Sequence, residues 1–355
     1  MFKSLSSFIA LATVGVLSLS PSTKAAPNIK VSGNKFVDSN GSEVKLHGVN
    51  RSGGEFSCIQ GNGFFDGPTD QASIDAIKSW KVNAVRVPTN EDCWLGLSNV
   101  PSQYSGSNYQ NAIKDYVNRL LSNDLTVILE VHWTNGDYSC GAGANCQKPM
   151  PGPNTPQYWT SVANAFKDTR IIFDLFNEPF PDRVVTGGTT AAWNCWKNGG
   201  SGGDCSGINY SVTGFQTIVD SIRSTGNSNA LIVGGLAYSN DLSQILTYMP
   251  YDSQNNIGVF AHVYNFNACN SQSCWDQNYA PVASKYPLVI SEIGENDCAH
   301  GFIDSLMSWA DSKGVSYLGW TWNTWDCSTG PSLISNYDGT PTNFGVGYRD
   351  HLASL

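Results

Sequence analysis

Two glutamates sit at the ends of apolar runs in this chain. Glu178 lies in IIFDLFNEPFPD, residues 171–182, and Glu292 in LVISEIG, residues 288–294. A carboxylate between Asn177 and Pro179 marks the point where a buried segment emerges. Two such carboxyls brought together can divide a reaction between them. One gives a proton to a departing oxygen while the other attacks the carbon that loses it, as cleavage of a glycosidic bond requires. A separation of roughly 5–5.5 Å leaves no room for water between them and predicts retention at that carbon. Other polar residues stud apolar runs in the same way: Arg86 in NAVRVP, Glu130 and His132 in ILEVHW, His262 and Tyr264 in HVY, and Trp320 and Trp322 around Thr321. Polar groups are uncommon in such runs unless they have a task there.

The elements that must position these residues follow from hydrophobic periodicity. Eight short β-rich runs are predicted at 44–50, 84–88, 126–132, 171–176, 230–234, 257–264, 288–292 and 316–320. Helical periodicity separates them. The clearest helix places Tyr109, Ala112, Ile113, Tyr116, Val117, Leu120 and Leu121 on one face, and another carries Phe302, Ile303, Leu306, Met307 and Ala310. Weaker helices are expected near 71–79, 156–167, 208–223, 242–248 and 276–284. Strand–helix alternation demands parallel strands with crossover helices. Eight units predict an α/β fold of the closed (β/α)8 type, a TIM barrel in a single domain over residues 26–355. An open doubly wound sheet lacks its fingerprint here, because GNGFFDG at 61–67 has the wrong spacing for a dinucleotide loop. Helix-to-strand connections are short, whereas strand-to-helix connections such as 133–155 and 177–206 are long. The elaborated loops therefore gather at the C-terminal end of the barrel, where sites on this fold are built.

Residues 1–25 read as a secretory signal peptide, with Lys3 in a short positive region, an apolar core from Phe8 to Leu19, and Ala25-Ala26 as the cleavage region. The expected location is therefore extracellular. The apolar run is too short to serve as a membrane anchor. Losing Lys3 and Lys24 takes the formal charge from −9 to −11. So acidic a chain, without basic runs, is a poor partner for nucleic acid or anionic membrane. Ten cysteines behind a signal peptide imply disulfides. Close pairs at Cys140/Cys146, Cys195/Cys205 and Cys269/Cys274 suggest local staples, leaving Cys58/Cys93 and Cys298/Cys327. No CxxC or HExxH pattern points to a metal. Asn40, Asn50 and Asn209 head N-x-S sequons, of which Asn50 is expected to be enclosed.

These motifs together resemble glycoside hydrolase family 5, the cellulase-type family whose carboxylates follow barrel strands four and seven. The matching segments are Asn177-Glu178-Pro179, His262-Val263-Tyr264, Ser291-Glu292-Ile293-Gly294, Arg86, His132 and Trp320-Thr321-Trp322, in order from strand two to strand eight. The resemblance implies that Glu178 is the acid/base and Glu292 the nucleophile, with Glu295 as a rival. It implies that Asn177 binds the sugar 2-hydroxyl, and that Arg86 and Tyr264 hold Glu292 ionised. His132 and His262 would line the site, and Trp320, or Trp322 on the same strand, would be the sugar platform. Glu130 is expected to be buried or paired with a cation, without a catalytic role. The function implied is a secreted retaining β-glycosidase acting on a polysaccharide, first of all an endo-β-1,4-glucanase, working as a monomer without metal or organic cofactor. Mannan, β-1,3-glucan, xyloglucan or a glycolipid are alternative substrates on the same scaffold, and a non-catalytic carbohydrate-binding barrel is the reading outside the enzyme class.

Overall fold

Runs of Val, Ile, Leu and Phe a few residues long have no polar face, so they settle only where both faces are covered. Eight such runs close into a parallel barrel in the computed structural model, which describes residues 25–134, 147–326 and 330–355. We number the barrel strands β1 (His47–Asn50), β2 (Ala84–Asn90), β3 (Thr126–Trp133), β4 (Ile171–Asp174), β5 (Leu231–Gly234), β6 (Ile257–Tyr264), β7 (Leu288–Gly294) and β8 (Ser316–Gly319). Each pairs in parallel with its sequence neighbours, and β8 closes on β1 through Tyr317↔His47 and Gly319↔Val49. All eight expected runs are strands. The first begins at His47 rather than Val44, because the Val44 amide is spent on the Phe36 carbonyl of an N-terminal hairpin (Lys30–Ser32 with Lys35–Val37).

Two apolar clusters hold the barrel. The inner one joins Ala84, Ile128, Ile172, Ile232, Phe260, Val289 and Leu318 with Ile29, Val31 and Phe36 of the hairpin region. The outer and larger one lies between strands and helices. The helix Ser107–Ser122 buries Tyr109, Ile113, Tyr116, Val117, Leu120 and Leu121 against it, as their spacing requires. Caps fix where helices start: Asp70 accepts from the Ser73 amide at the head of Gln71–Ser79, and Thr342 from the Gly345 amide at the head of Asn343–Ser354.

Three departures of the helices from expectation bear on the core. The helix expected over 208–223 starts only at Phe215, because Val212–Thr213 pair with Gly199–Gly200 first. The connection after β4 carries its own helix, Gly188–Asn198, which buries Trp193, Cys195 and Trp196. Glycines flank it at both ends, Gly187 and Gly188 at its start and Gly199 and Gly200 just past its end. The C-terminal helix Asn343–Ser354 was not anticipated; its Phe344, Tyr348 and Leu352 are buried.

Three of the expected disulfides are present, Cys58–Cys93, Cys195–Cys205 and Cys269–Cys274. The first ties the segment after β1 to that after β2. Cys140, Cys146 and Cys327 lie outside the described residues, as does the expected signal peptide up to residue 24. Among the described residues no helix is long and apolar enough to cross a membrane.

Candidate active site

The sequence-predicted polar residues converge at the C-terminal mouth of the barrel. Arg86 comes from β2, Glu130 and His132 from β3, His262 and Tyr264 from β6, and Glu292 from β7. Asn177 and Glu178 follow β4, and Trp320 follows β8. Pairing slips by one residue between β6 and β7 at Ala261/His262, and again between β7 and β8 past Ile290. Such irregularities re-aim side chains. Here the slip sets His262 directly beside Glu292.

One oxygen of Glu178, one of Glu292 and one nitrogen of His262 lie within 4.8 Å of one another. Glu178 keeps 20% of its side chain exposed, whereas Glu292 keeps 4%. His262 Nδ1 sits 2.9 Å from Glu178 Oε1 and 3.5 Å from Glu292 Oε2, and its Nε2 is 3.0 Å from the Ser291 hydroxyl. The Tyr264 hydroxyl donates to Glu292 Oε2 at 2.5 Å, and Arg86 Nη1 donates to Oε1 at 2.7 Å. Tyr264 can lie this close because residue 294 is glycine. A Cβ there would stand 2.7 Å from the tyrosine ring.

Arg86 is wholly buried and organises the floor. Nε donates to Asp174 at 2.9 Å, Nη1 also to Asn50 Oδ1 at 3.0 Å, and Nη2 to Asn177 Oδ1 at 2.9 Å. Glu130 Oε2 lies 3.1 Å from Nη2 in ion contact, and Glu130 Oε1 is 2.6 Å from His132 Nδ1. Glu130 is thus buried and cation-paired, as expected. One guanidinium therefore faces three carboxyls, Glu130, Asp174 and Glu292.

That imbalance shapes the protonation states. Burial pushes the Glu178 carboxyl well above the usual range, and the adjacent Glu292 charge pushes the same way. Burial also raises Glu292, but Arg86, His132 and the Tyr264 hydroxyl pull it back. Glu178 is thus pushed further up than Glu292, although Arg86 does not bring Glu292 below its ordinary value. Burial lowers His262 well below the usual histidine range, with Arg86 adding to the effect, and lowers His132 to about 4. Both imidazoles are neutral at ordinary pH.

The platform alternatives separate cleanly. Trp320 is half-buried, lines the cleft and stacks on His132 with ring centroids 5.4 Å apart and planes 15° apart. Trp322 is a correction: it is fully buried and packs edge-on against Trp80 at 4.8 Å, so it presents no face to the cleft. The strand ends at Gly319, and the alternation that would put both rings on one face ends with it. Glu295, the rival carboxylate, is buried and accepts from the Ile303 amide at 2.8 Å in the first turn of helix Gly301–Lys313. Trp94, Trp193, Trp196 and Trp275, in the segments that follow strands, are core residues, whereas Trp325 is exposed beside Phe56. Asn50 is enclosed as expected, while Asn40 and Asn209 are exposed.

Several residues of the site were not anticipated. Asp174 was legible as the one charge inside IIFDLF. Tyr238, Phe266 and Asn267 complete the cleft, about 360 Å³ in volume, with His132, Asn177, Glu178, Tyr264, Glu292, Trp320 and Pro331. Ala237, Tyr238 and Ser239 hold positive φ angles of 52°, 61° and 60° in succession. Non-glycine residues persist in that region only when their surroundings over-determine them. Here Tyr238 N donates to the Pro179 carbonyl, Ser239 Oγ to the Asn177 carbonyl and Ala237 N to Asp182, so the turn clamps the segment carrying Glu178. Glu55, also unanticipated, is buried, accepts from the Gly53 amide at 2.7 Å and is pushed up to about 7 by burial.

Comparison with known proteins gives a consistent picture. The family model for cellulase (glycosyl hydrolase family 5) matches residues 37–326. A mannan endo-1,4-beta-mannosidase of Cellvibrio japonicus is 24% identical over 333 residues, covering 91% of this chain and 64% of that protein. One of Streptomyces lividans is also 24% identical, covering 84% of this chain and 67% of that protein. A cellulase/esterase of Acetivibrio thermocellus is 26% identical, covering 81% of this chain and 36% of that protein. The chain thus spans about two thirds or less of the length of these curated relatives. Among solved structures, a beta-glucanase from Saccharophagus degradans superposes with a TM-score of 0.69 at 20% identity over 98% of both chains, a likeness of fold.

Proposed function

The chain belongs to the cellulase family, glycosyl hydrolase family 5, and on that premise we propose that it hydrolyses a β-linked polysaccharide with retention, cutting internal β-1,4 bonds of glucan. The observation that carries this reading is the Glu178–Glu292 pair, with carboxylate oxygens within 4.8 Å and different partners on each. Carboxyls this close leave no space for a water between them, which favours a covalent intermediate over direct displacement.

Glu292 is assigned as the nucleophile. Arg86 and Tyr264 fix both its oxygens and favour its ionised form. In the first step an Oε of Glu292 bonds to the anomeric carbon, the bond to the leaving oxygen breaks, and Glu178 gives that oxygen its proton. In the second step Glu178 takes a proton from water, the water oxygen bonds to the same carbon, and the ester to Glu292 breaks. His262 bridges the two carboxyls and orients Glu178. Asn177 faces the sugar 2-hydroxyl, and Trp320 offers its face to the pyranose ring.

Mannan is a second reading, favoured by the two mannosidases among the relatives. The apolar N-terminal leader and the three disulfides support secretion. Reducing-end release from soluble cellulose, mannan, glucomannan, laminarin and xyloglucan, with Glu178→Ala as blank, tests both readings. Release from cellulose above mannan supports the first, the reverse supports the second, and release from neither polymer counts against both.

A further inference from the structure

We propose that Glu130 is a positioning residue: it closes a ring of three hydrogen bonds and one ion contact that holds His132 as its Nδ1–H tautomer and so orients the Asn177 amide toward the substrate. The ring runs Arg86–Asn177–His132–Glu130 and back to Arg86. Its directions follow from one fact, that a guanidinium only donates. The Asn177 atom 2.9 Å from Arg86 Nη2 is therefore the carbonyl Oδ1. That places Asn177 Nδ2 toward His132 Nε2, at 3.3 Å. An amide nitrogen only donates, so Nε2 accepts. A neutral imidazole with an accepting Nε2 carries its proton on Nδ1. Nδ1 lies 2.6 Å from Glu130 Oε1, which accepts, and Glu130 Oε2 returns to Arg86 at 3.1 Å.

The alternatives each break the ring. A flipped Asn177 sets its NH2 against the guanidinium. An Nε2–H tautomer, or a charged ring, sets Nε2–H against the Asn177 NH2. Burial of His132 removes the charged form at ordinary pH. With the ring closed, one Asn177 amide hydrogen goes to His132 and the second remains for the cleft that Asn177 lines. The same ring steadies the face of His132 on which Trp320 stacks. Glu130 itself is fully buried and does not line the cleft, so it acts through its neighbours.

Glutamine at this position cannot close the ring. With its carbonyl toward His132, its NH2 meets the guanidinium. With its NH2 toward His132, the tautomer reverses and Nε2–H meets the Asn177 amide. The tautomer assignment stands on geometry alone, whereas its consequence for turnover rests on the glycosidase reading above.

Nitrogen-15 NMR of the histidine side chains in the full wild-type protein, with the His132 signals assigned by His132→Gln, is expected to show Nδ1 protonated and Nε2 bare between pH 6 and 8. A protonated Nε2 overturns the assignment, and this measurement needs neither activity nor a folded Glu130 variant. The kinetic test compares Glu130→Gln with wild type on an aryl β-cellobioside and on its 2-deoxy counterpart (the mannobioside pair if the polymer panel selects mannan). We expect kcat to fall about tenfold or more on the 2-hydroxy substrate, the equivalent of one hydrogen bond, and to change little on the 2-deoxy substrate. An equal loss on both overturns the positioning role. Wild-type protein inactive on every substrate, with Nδ1 still protonated, leaves the tautomer standing and removes its catalytic consequence together with the glycosidase reading.

Discussion

Replacing each carboxylate in turn by alanine separates the two roles assigned to Glu178 and Glu292. Among the described residues the Glu178 carboxyl is held by His262, with Gln147 beside it, and keeps a fifth of its surface exposed. Glu178→Ala therefore costs the fold about 1 kcal/mol or less. Its effect on turnover depends on the leaving group. A sugar hydroxyl leaves only with a proton, so polysaccharide hydrolysis is expected to fall about 10²–10⁴-fold, or ~3–5 kcal/mol in the barrier. An acidic phenol leaves unaided, so an aryl glycoside still forms the glycosyl-enzyme, which then waits for an activated water. Azide needs no base, and the space vacated beside Glu292 admits it. Added azide is expected to restore turnover and to give the β-azide. In Glu292→Ala the cavity lies on the opposite side of the anomeric carbon, and azide there gives the α-azide. The assay is product NMR beside initial rates at several azide concentrations. Loss of activity in Glu178→Ala that is equal for polymer and aryl glycoside, or a β-azide from Glu292→Ala, refutes the assignment.

Tyr264→Phe removes the 2.5 Å bond to Glu292 and keeps the ring stacked on Phe266. Loss of a donor to the carboxylate raises the Glu292 pKa, so the acid limb of kcat/KM moves to higher pH; an unmoved limb counts against Glu292 as the group that must ionise. Trp320→Ala is expected to weaken oligosaccharide binding about tenfold in titration calorimetry, the loss of one stacking face worth roughly 1.5 kcal/mol, with the fold intact. Trp322→Ala instead costs about 3–5 kcal/mol of stability, read as a lower Tm. Glu91 is buried, with Oε2 accepting from Thr155 at 2.6 Å and no partner on Oε1 among the described residues, and burial pushes it up to about 8. Its folded pKa lies above the unfolded value, so the stability it contributes is complete below pH ~4.5 and is lost as pH rises through about 8. Glu91→Gln is expected to flatten that decline, on the order of 2–4 kcal/mol by denaturant titration at pH 5 and 9; parallel wild-type and variant curves refute it.

The eight strands were legible because a strand buried on both faces must be apolar throughout, and little else in a chain is. Glu178 and Glu292 were legible for the converse reason, since a charge that ends such a run is costly to leave there without a partner. Asp174 carried the same signal and was absorbed into its strand. The helix Gly188–Asn198 was hidden by the glycines that follow it, and the helix over 208–223 was drawn too early because short-range periodicity does not register the pairing of Val212–Thr213 with Gly199–Gly200.

Composition and spacing thus determined the barrel, the residues at its mouth and the family resemblance, because those depend on the order of residues along each strand. Tertiary structure decided which side chains meet. Trp320 rather than Trp322 faces the cleft, Glu295 holds a helix, Tyr238 and Phe266 enter the site from separate loops, and one buried arginine ties its own strand to four others. These follow from bulges, strand ends and hydrogen-bond directions in three dimensions. Arg86, which orients Asn177, lies on β2, Asn177 follows β4 and His132 lies on β3, and no linear pattern carries the direction of the two hydrogen bonds that join them.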